Sequence, residues 1–203
     1  NSTKRISFEN EFIKGSISLE GGIIDDLELK TYDKSLGSKD KILLLNPTTT
    51  KEGYTFNTGW ATKSDMDTPS SKTLWSIDGA DKITPNNPVK IYFESNDGLR
   101  FERIISLDDK YLFNIKQTLI NKSDKTLKFY PYAMISRNNL PSDLTDFYIL
   151  HEGYTLISGE SLEEVDYDDV VENKYSVEGN TGVLIQGDKY RMTSIIPEQG
   201  RKF

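Results

Sequence analysis

The amino-acid sequence predicts an all-β protein, mostly antiparallel and with little helix, whose strands pack as a sandwich. Three observations predict this fold class. Apolar and polar residues alternate with a period of two, turn-forming residues separate these stretches at short intervals, and helical periodicity nowhere extends beyond about three turns. With 203 residues, 35% of them hydrophobic, the chain can bury a sizeable core, and no repeat or linker divides it. We therefore expect one domain over residues 1–203.

The first strands follow from the stretch GSISLEGGIIDDLELKTY. Its large aliphatic residues share one parity, which places them on one face of a strand pair, and acids fill the opposite face. These residues are Ile17, Leu19, Ile23, Leu27 and Leu29. Gly21 and Gly22 interrupt the alternation and predict a turn or bulge.

The centre of the chain predicts a meander of three adjacent antiparallel strands. Asn96-Asp97-Gly98 is a tight-turn signal, and alternation then runs from Leu99 to Leu107. Asp108-Asp109-Lys110 turns the chain back through a second strand, Tyr111 to Leu119. After the turn sequence NKSDK, Leu127 and Phe129 begin the expected third strand.

Shorter strands and one ambiguous segment complete the prediction. Between Pro-, Gly- and Asn-rich turns, short strand-like pieces carry Phe56, Trp60, Trp75 and Tyr92-Phe93. In SLEEVDYDDVVEN, Ser161 and Glu164 fit the start of a short helix, whereas the spacing of Val165, Tyr167 and Val170-Val171 also fits an edge strand. Both alternatives stay open.

Charge and composition exclude several classes of function. The 32 acidic and 25 basic residues give a net charge of −7, and lysine and arginine do not cluster in the way that a duplex-binding surface needs, so neither nucleic acid nor an anionic lipid surface is an expected partner. Cysteine is absent, which excludes disulfides, thiolate metal sites and cysteine nucleophiles. The longest aliphatic run, ILLL, is far too short to span a membrane.

The only histidine, His151, is followed by Glu152 and is the obvious candidate for acid–base chemistry. Neighbouring strand residues point to opposite faces, so the pair cannot act on one substrate without a bend in the backbone. A single histidine also excludes a two-histidine metal site. A structural histidine, hydrogen-bonded near a strand end, is the favoured interpretation.

No other motif assembles a catalytic, cofactor or metal site. The acid pairs Asp25-Asp26, Asp108-Asp109 and Asp168-Asp169 lie at turns or strand ends, where aspartate favours local backbone bonds. A Ser-His-acid triad would need His151, and no G-x-S-x-G elbow or phosphate-binding glycine loop is present. We expect no catalytic residue, no cofactor and no metal.

The aromatic residues allow either a ligand cleft or a sandwich core. Trp60, Trp75, Tyr130, Tyr132, Tyr148 and Tyr154, with Arg137 and Asn138, are of the types that line sugar-binding clefts, but aromatics on strands are more often core. The candidate cleft or interaction residues are Trp60, Trp75, Tyr130, Tyr132, Arg137 and His151.

The order of strands around these residues can also be predicted. Tyr130-Pro131-Tyr132 is expected to end a meander strand, with Pro131 on an edge or at a strand end because it cannot donate to a central ladder. Arg137-Asn138-Asn139 then turns outward, Tyr148–Leu150 re-enters the sheet, and His151 lies at its margin.

Six ordered blocks resemble the large periplasmic domain of the YidC membrane protein insertases. They are ISLEGGIIDDLELKTY, FNTGW followed by TLW, GLRFERIISLDDKYLFNIKQTLIN, YPYAMISR, YILHEG and GDKYRMTSIIPEQ. The resemblance spans nearly the whole chain. It departs from the family pattern at Arg191, where an aromatic is expected, and in HEGYT, which lacks an expected proline.

The resemblance implies a β-supersandwich of the galactose-mutarotase-like type, in a domain that continues beyond IIPEQ and is therefore incomplete at the C terminus. It also implies the periplasmic part of a bacterial inner-membrane protein that inserts and folds membrane proteins, alone or with the Sec translocon. SecDF and membrane protein substrates are the implied partners. The family's insertion chemistry belongs to membrane helices, so no catalytic residue carries over. Because the fold is shared with sugar-active proteins, a carbohydrate-binding or aldose-epimerase-like sandwich is the alternative.

Overall fold

The strands of the protein are short and mostly antiparallel. The structure is a computed structural model and describes residues 4–142, 144, 151–189 and 191–203. The strands are β1 Arg5–Glu9, β2 Ile13–Ser18, β3 Ile23–Asp33, β4 Lys41–Leu45, β5 Tyr54–Ala61, β6 Ser76–Asp78, β7 Lys82–Ile83, β8 Val89–Glu94, β9 Leu99–Leu107, β10 Phe113–Asn121, β11 Tyr130–Arg137, β12 Gly153–Ser158, β13 Ser161–Asp166, β14 Gly182–Gly187 and β15 Met192–Ile195. One short helix, α1, spans Tyr167–Glu172. The predicted all-β, mostly antiparallel fold class is confirmed.

The chain forms two compact units, Asn1–Asn138 and Asn139–Phe203. In the described part of the first unit, one sheet has the order β11-β5-β3-β2-β1-β7, with β4 paired to β3, and a second has the order β10-β9-β8-β6. The pairing of β1 with β7 is parallel, in contrast to the antiparallel pairs elsewhere in the two sheets. The expectation of one domain, incomplete at its C terminus, stays a prediction, as does the galactose-mutarotase-like type.

The two sheets of the first unit bury their facing side chains in one apolar core. The ring of Phe8 on β1 contacts Phe113 on β10 with centroids 5.0 Å apart, and Trp60 on β5 contacts Phe101 on β9 at 5.1 Å. These pairs join one sheet to the other, edge to face, which is the favoured geometry of aromatic pairs. Alternation along β9 is complete, because every odd-numbered residue from Leu99 to Leu107 is buried. Sandwich packing therefore explains the period of two in the sequence.

A buried asparagine fastens one end of this sandwich. The Asn10 amide donates to the carbonyls of Asp108 (3.0 Å) and Lys110 (2.7 Å) in the β9–β10 turn. Its oxygen accepts from the backbone N–H groups of Phe12 and Ile13, each at 2.8 Å. One side chain thus holds the β1–β2 turn of one sheet against a hairpin of the other.

The β2–β3 pair follows the predicted strands with one shift of register. Ser16 pairs with Asp26 but Ile17 pairs with Ile24, so Asp25 is the extra residue of a bulge. Across the bulge the buried positions of β3 change from even to odd, so Ile24 is buried before it and Leu27 after it, whereas the alternation predicted Ile23. Gly21 and Gly22 form the predicted turn with φ of 74° and 63°, a conformation that glycine adopts at little cost.

The predicted three-stranded meander is wrong at its third strand. The strands β8, β9 and β10 form a meander with the expected turns, but β11 pairs with β5 in the other sheet over eight residues, Tyr130 opposite Ala61 through Arg137 opposite Tyr54. Residues 122–129 are long enough to cross between sheets, and Phe129 packs on Phe101 on the way. Tyr130-Pro131-Tyr132 therefore begins a strand instead of ending one, and β11 is an edge strand, as Pro131 predicted.

The second unit contains a four-stranded sheet of order β13-β12-β14-β15, and α1 follows directly after β13 in the chain. The ambiguous segment forms a strand and then a helix. Ser161 begins β13 and does not cap a helix, whereas Asp166 occupies the N-cap position of α1 without a side-chain hydrogen bond. The sequence of this segment fits both a strand and a helix because it contains one of each, and each is only six residues long. In the described residues, no helix is long and apolar enough to cross a membrane.

Candidate functional site

A stripe of exposed residues on β11 is the clearest candidate surface. Tyr130, Tyr132 and Met134 alternate along the strand, lie on one face of it and are each close to half exposed. The Lys128 ammonium lies 5.0 Å from the centroid of the Tyr130 ring, within cation–π distance. Exposed tyrosine and methionine side chains next to one another are typical of protein-binding surfaces. We call these three residues the β11 stripe.

Tyr132, the central residue of the β11 stripe, packs over a glycine on the neighbouring strand. Tyr132 lies opposite Gly59 on β5, and a Cβ atom at Gly59 would lie 2.5 Å from the Tyr132 hydroxyl oxygen. The phenol ring therefore lies over the space that a side chain at Gly59 would fill. This packing fixes the ring direction although much of the ring remains exposed to solvent.

Trp60 and Trp75, the tryptophans of the candidate cleft, lie in the core of the first unit. Their side chains are 7% and 1% exposed, and the two rings stack with centroids 6.3 Å apart and an interplanar angle of 25°. Phe101 and Arg103 cover them further. Trp60 and Trp75 are therefore core residues, and neither exposes a ring face to a ligand.

Arg103, a residue that sequence reasoning missed, connects the two sheets through this core. It is 2% exposed, and its guanidinium donates to the carbonyls of Gly21 (3.3 Å), Gly22 (3.0 Å) and Thr58. Its Cζ atom lies 4.2 Å from the Trp75 ring centroid. Burial lowers the pKa of Arg103 to about 10, because desolvation penalises the charged form. The signal was in the sequence, since position 103 has the same parity as Phe101 and Ile105.

Arg137 and Asn138 attach the end of β11 to the start of β5 and to the loop between β4 and β5. The Arg137 guanidinium lies 4.8 Å from the Tyr54 ring centroid. The Asn138 side chain donates to the carbonyls of Thr48 (2.8 Å) and Thr50 (2.9 Å), and its N–H donates to Gly53. The strand ends at Arg137, where the sequence predicted a turn. The predicted outward direction is not seen for Asn138, because its side chain bonds to the β4–β5 loop.

His151 belongs to the second unit, two residues before β12. Its Nε2 lies 3.1 Å from the carbonyl oxygen of Tyr154, and its Nδ1 lies 3.3 Å from Asp166 Oδ1. A hydrogen-bonded histidine beside a strand end agrees with the structural interpretation. Tyr148–Leu150, expected to re-enter a sheet, lies outside the described residues.

The remaining polar clusters contain their own partners. A shallow depression on the first unit is lined by Ser7, Phe8, Glu9, Lys14, Gly15, Asp26, Glu28 and Lys82. Lys14 pairs with Glu28 at 3.0 Å and Lys82 with Glu9 at 3.7 Å, so its charges are largely matched. Within the described ranges, no group of three or more His, Asp or Glu side chains is arranged to hold a metal ion.

Of the three acid pairs, Asp108-Asp109 lies at a strand end as predicted, whereas Asp25-Asp26 lies at the bulge inside β3 and Asp168-Asp169 lies in the first turn of α1. Asp25 pairs with Arg5, and Asp26 accepts from the Ser16 hydroxyl at 2.6 Å. Asp108 Oδ1 accepts from the backbone N–H groups of Lys110 and Leu112, each at 2.8 Å, which is the local bonding predicted for it.

Fold and surface together define an all-β protein whose clearest exposed feature is the β11 stripe on an edge strand. Comparison with known proteins gives its family. A sequence model of the YidC periplasmic domain matches residues 5–203. The chain belongs to this family, as its six sequence blocks predicted.

Named relatives agree along almost the entire chain. A membrane protein insertase YidC from Pelagibacter ubique is 43% identical over 200 residues, 98% of this chain and 36% of the relative. Proteins of the same name from Cereibacter sphaeroides (strain KD131) and Brucella suis are each 34% identical, over 99% and 98% of this chain. The chain spans about a third of the length of these relatives, 34% and 33% in the latter two.

Proposed function

We propose that this chain is a non-catalytic scaffold and interaction surface of a YidC-type insertase, placed in the periplasm beside the bacterial inner membrane. The names of the family and of its relatives support this assignment. In the proposed whole protein, insertion and folding of membrane proteins take place elsewhere in the chain, alone or with the Sec translocon. This domain contributes binding energy and position, and no covalent chemistry.

The β11 stripe is the observation that carries the interaction role. Three adjacent large side chains leave apolar surface in water, and an edge strand holds them with the defined spacing of a sheet. Burial of such a patch against a partner is favourable by roughly 25 cal/mol per Å² of apolar surface. Tyrosine and methionine also accommodate different partners, because one has a polar tip and the other a flexible stem.

The proposed partners are Sec translocon components, including SecDF, together with membrane protein substrates. The test compares full-length protein carrying this domain with protein from which residues 1–203 are deleted. Co-purification of Sec components is expected with the first and reduced with the second. An unchanged complex would remove partner docking from the proposed function while leaving the family assignment intact.

Site-specific crosslinking tests the surface itself. A photoreactive phenylalanine analogue at Tyr132 in the full-length protein is expected to crosslink to a Sec component or to a nascent membrane protein. Tyr111 is the matched control, since it is also a half-exposed tyrosine of the first unit but lies at the β9–β10 turn. Equal crosslinking from both positions would show that the β11 stripe has no special role.

The non-enzymatic assignment is supported by the dispersal of the reactive groups. His151 bonds to Tyr154 and lies beside Asp166, while the tryptophans expected in a sugar cleft are covered by Arg103 and Phe101. Calorimetric titration with common aldoses is expected to show no binding. Micromolar binding that is lost in Tyr132→Ala or His151→Ala would establish the carbohydrate alternative instead.

A further inference from the structure

The hairpin formed by β3 and β4 ends in a tip that exposes apolar side chains. Leu36 has a relative exposure of 108%, so it makes almost no contact with the rest of the protein. Tyr32, near the end of β3, is more than half exposed. A single exposed leucine is ordinary, but this one lies in a hairpin loop whose residues 31–37 are all exposed, with a tyrosine near its start.

The same tip is basic although the chain is acidic. Residues 30–41 contain four lysines and two aspartates, a formal charge of +2 in a chain of −7. Lys41 pairs with Asp33 at 2.6 Å and Lys30 with Glu9 at 3.0 Å. Lys34 and Lys39 flank Leu36 and are exposed, and in the described part of the chain no carboxylate lies within 4.0 Å of either ammonium.

Internal hydrogen bonds hold this tip in one conformation. The N–H of Lys34 donates to the Asp40 carbonyl at 2.8 Å, and the N–H of Ser38 donates to Ser35 at 3.0 Å. The Ser38 hydroxyl accepts from the Asp40 N–H at 3.0 Å. Gly37 adopts a φ of 79°, which a residue with a side chain would strain. Exposure of Leu36 is thus built into the turn.

We propose that the β3–β4 tip binds the surface of an anionic phospholipid bilayer. Leu36 enters the boundary between headgroups and acyl chains, Tyr32 lies at headgroup level, and Lys34 and Lys39 contact lipid phosphates. An aliphatic residue, an amphipathic aromatic and flexible cationic side chains are the groups that favour this interface. The net charge of the chain opposes adsorption of the whole surface, but charges beyond a Debye length of about 8 Å are screened, so the local charge decides.

A second hairpin tip isolates the contribution of charge. The β9–β10 turn also exposes a tyrosine and a leucine, Tyr111 and Leu112, and each is about half exposed. It carries Asp108 and Asp109 against Lys110, so its local charge is negative. Anionic lipid attracts the β3–β4 tip and repels this one. The inference goes beyond the proposed function and does not depend on any Sec contact.

The test uses this chain with a fluorophore on a single introduced cysteine, since the sequence contains no other. A nitrobenzoxadiazole label at Ser35→Cys leaves Leu36 in place and reports insertion by a blue shift and a gain in emission. Vesicles of phosphatidylglycerol with phosphatidylethanolamine are compared with vesicles of phosphatidylcholine alone. A label at Asp124→Cys, in the exposed turn after β10, is the positional control.

We expect the Ser35→Cys label to respond to the phosphatidylglycerol vesicles and the Asp124→Cys label not to respond. Lys34→Gln and Lys39→Gln should each weaken binding about five-fold, the effect of roughly 1 kcal/mol per lysine near an anionic surface. Leu36→Ser should weaken it about ten-fold or more, from lost apolar burial. The paired control Lys110→Gln with Leu112→Ser should leave binding unchanged.

Three outcomes would overturn the proposal. They are no response of the Ser35→Cys label to phosphatidylglycerol vesicles, an equal response to phosphatidylcholine, and binding that persists in Leu36→Ser. If protein-free vesicles give no response while a photocrosslinker at Ser35 captures a membrane protein, the tip is a protein-docking site and the lipid proposal is wrong.

Discussion

The two units of the chain are built from similar strands but bury their side chains differently. In the first unit, two sheets share a core that includes Trp75, Phe8, Phe101 and Ile105, each at most 1% exposed. Among the described residues of the second unit, Val165 and Tyr167 are the buried large hydrophobic residues. The first unit therefore gains its stability mainly from apolar burial.

The second unit relies more on polar contacts. The Tyr167 hydroxyl oxygen lies 2.9 Å from Asp188 Oδ1 and 3.1 Å from the Gly187 carbonyl oxygen, two acceptors for its one hydrogen, and its ring packs on Tyr154. Gln186 donates to the Tyr154 hydroxyl at 3.1 Å. Because a net hydrogen bond contributes only about 1 kcal/mol, this unit should open at lower cost than the first.

The largest expected difference comes from matched core truncations. Ile105→Ala on β9 removes a fully buried side chain and should cost about 2–5 kcal/mol of unfolding free energy, because it leaves a cavity between the two sheets. Ile157→Ala on β12 removes a partly buried side chain and should cost clearly less. Urea denaturation measures both, and hydrogen exchange of β9 and β12 amides assigns each loss to a unit. Equal costs would contradict the comparison.

Arg103 provides the next largest effect. Arg103→Lys should cost about 2–3 kcal/mol, because a lysine ammonium cannot bond to the carbonyls of both the Gly21-Gly22 turn and Thr58 as the guanidinium does, and it loses the stacking on Trp75. The matched control is Arg100→Lys on the outer face of the same strand, where the guanidinium pairs with Glu94 and Glu102. That exchange should cost less than about 1 kcal/mol. Denaturation of both variants decides whether burial or charge sets the cost.

Sequence patterns predicted the parts of the fold that depend on local order. The alternation from Leu99 to Leu107, the turn at Gly98 and the edge position of Pro131 are all present. The partner of a strand is different, because alternation states which face is buried and not which strand lies beside it. The pairing of β11 with β5 was therefore missed.

The candidate site shows the same division. Residue type alone makes Tyr130 and Tyr132 candidates, and their exposure follows only from the pairing of β11 with β5. Trp60 and Trp75 are candidates for the same reason but are core residues. The parity of Arg103 favours the core, but its residue type argues against it, because arginine is rarely fully buried without partners that only the folded structure shows.

In the second unit, a single hydroxyl should carry a measurable part of the stability. Tyr167→Phe removes the donor to Gly187 and Asp188, and the Asp188 carboxylate is buried, so the expected cost is about 1–3 kcal/mol. The control is Tyr175→Phe, whose ring is exposed and whose change should be near zero. Loss of hydrogen-exchange protection in β14 is the specific readout. An unchanged β14 would show that packing of the ring, and not its hydroxyl, stabilises this unit.

Surface ion pairs should contribute least to the difference in stability between the two units, and the pH dependence of unfolding tests this. Lys30 hydrogen-bonds Glu9 and lowers the pKa of its carboxyl below 4.5, with a further contribution from Lys82, and Lys202 lowers the pKa of Glu178 in the second unit in the same way. A carboxyl whose pKa is lower in the folded state binds fewer protons there than in the unfolded chain. It therefore stabilises the fold above its unfolded pKa and loses that contribution as the pH falls through its folded pKa.

Glu9→Gln and Glu178→Gln should each be slightly less stable than the parent near pH 7, and both differences should shrink below about pH 4.5 and in high salt. Glu11→Gln is the control, because this exposed glutamate has no lysine or arginine within 4.0 Å in the described chain. Urea midpoints across pH 3 to 7 measure all three. Both variants remove a surface glutamate–lysine pair of the same kind. A strong loss of stability in Glu178→Gln alone would therefore show that charge, and not apolar burial, causes the difference in stability between the two units.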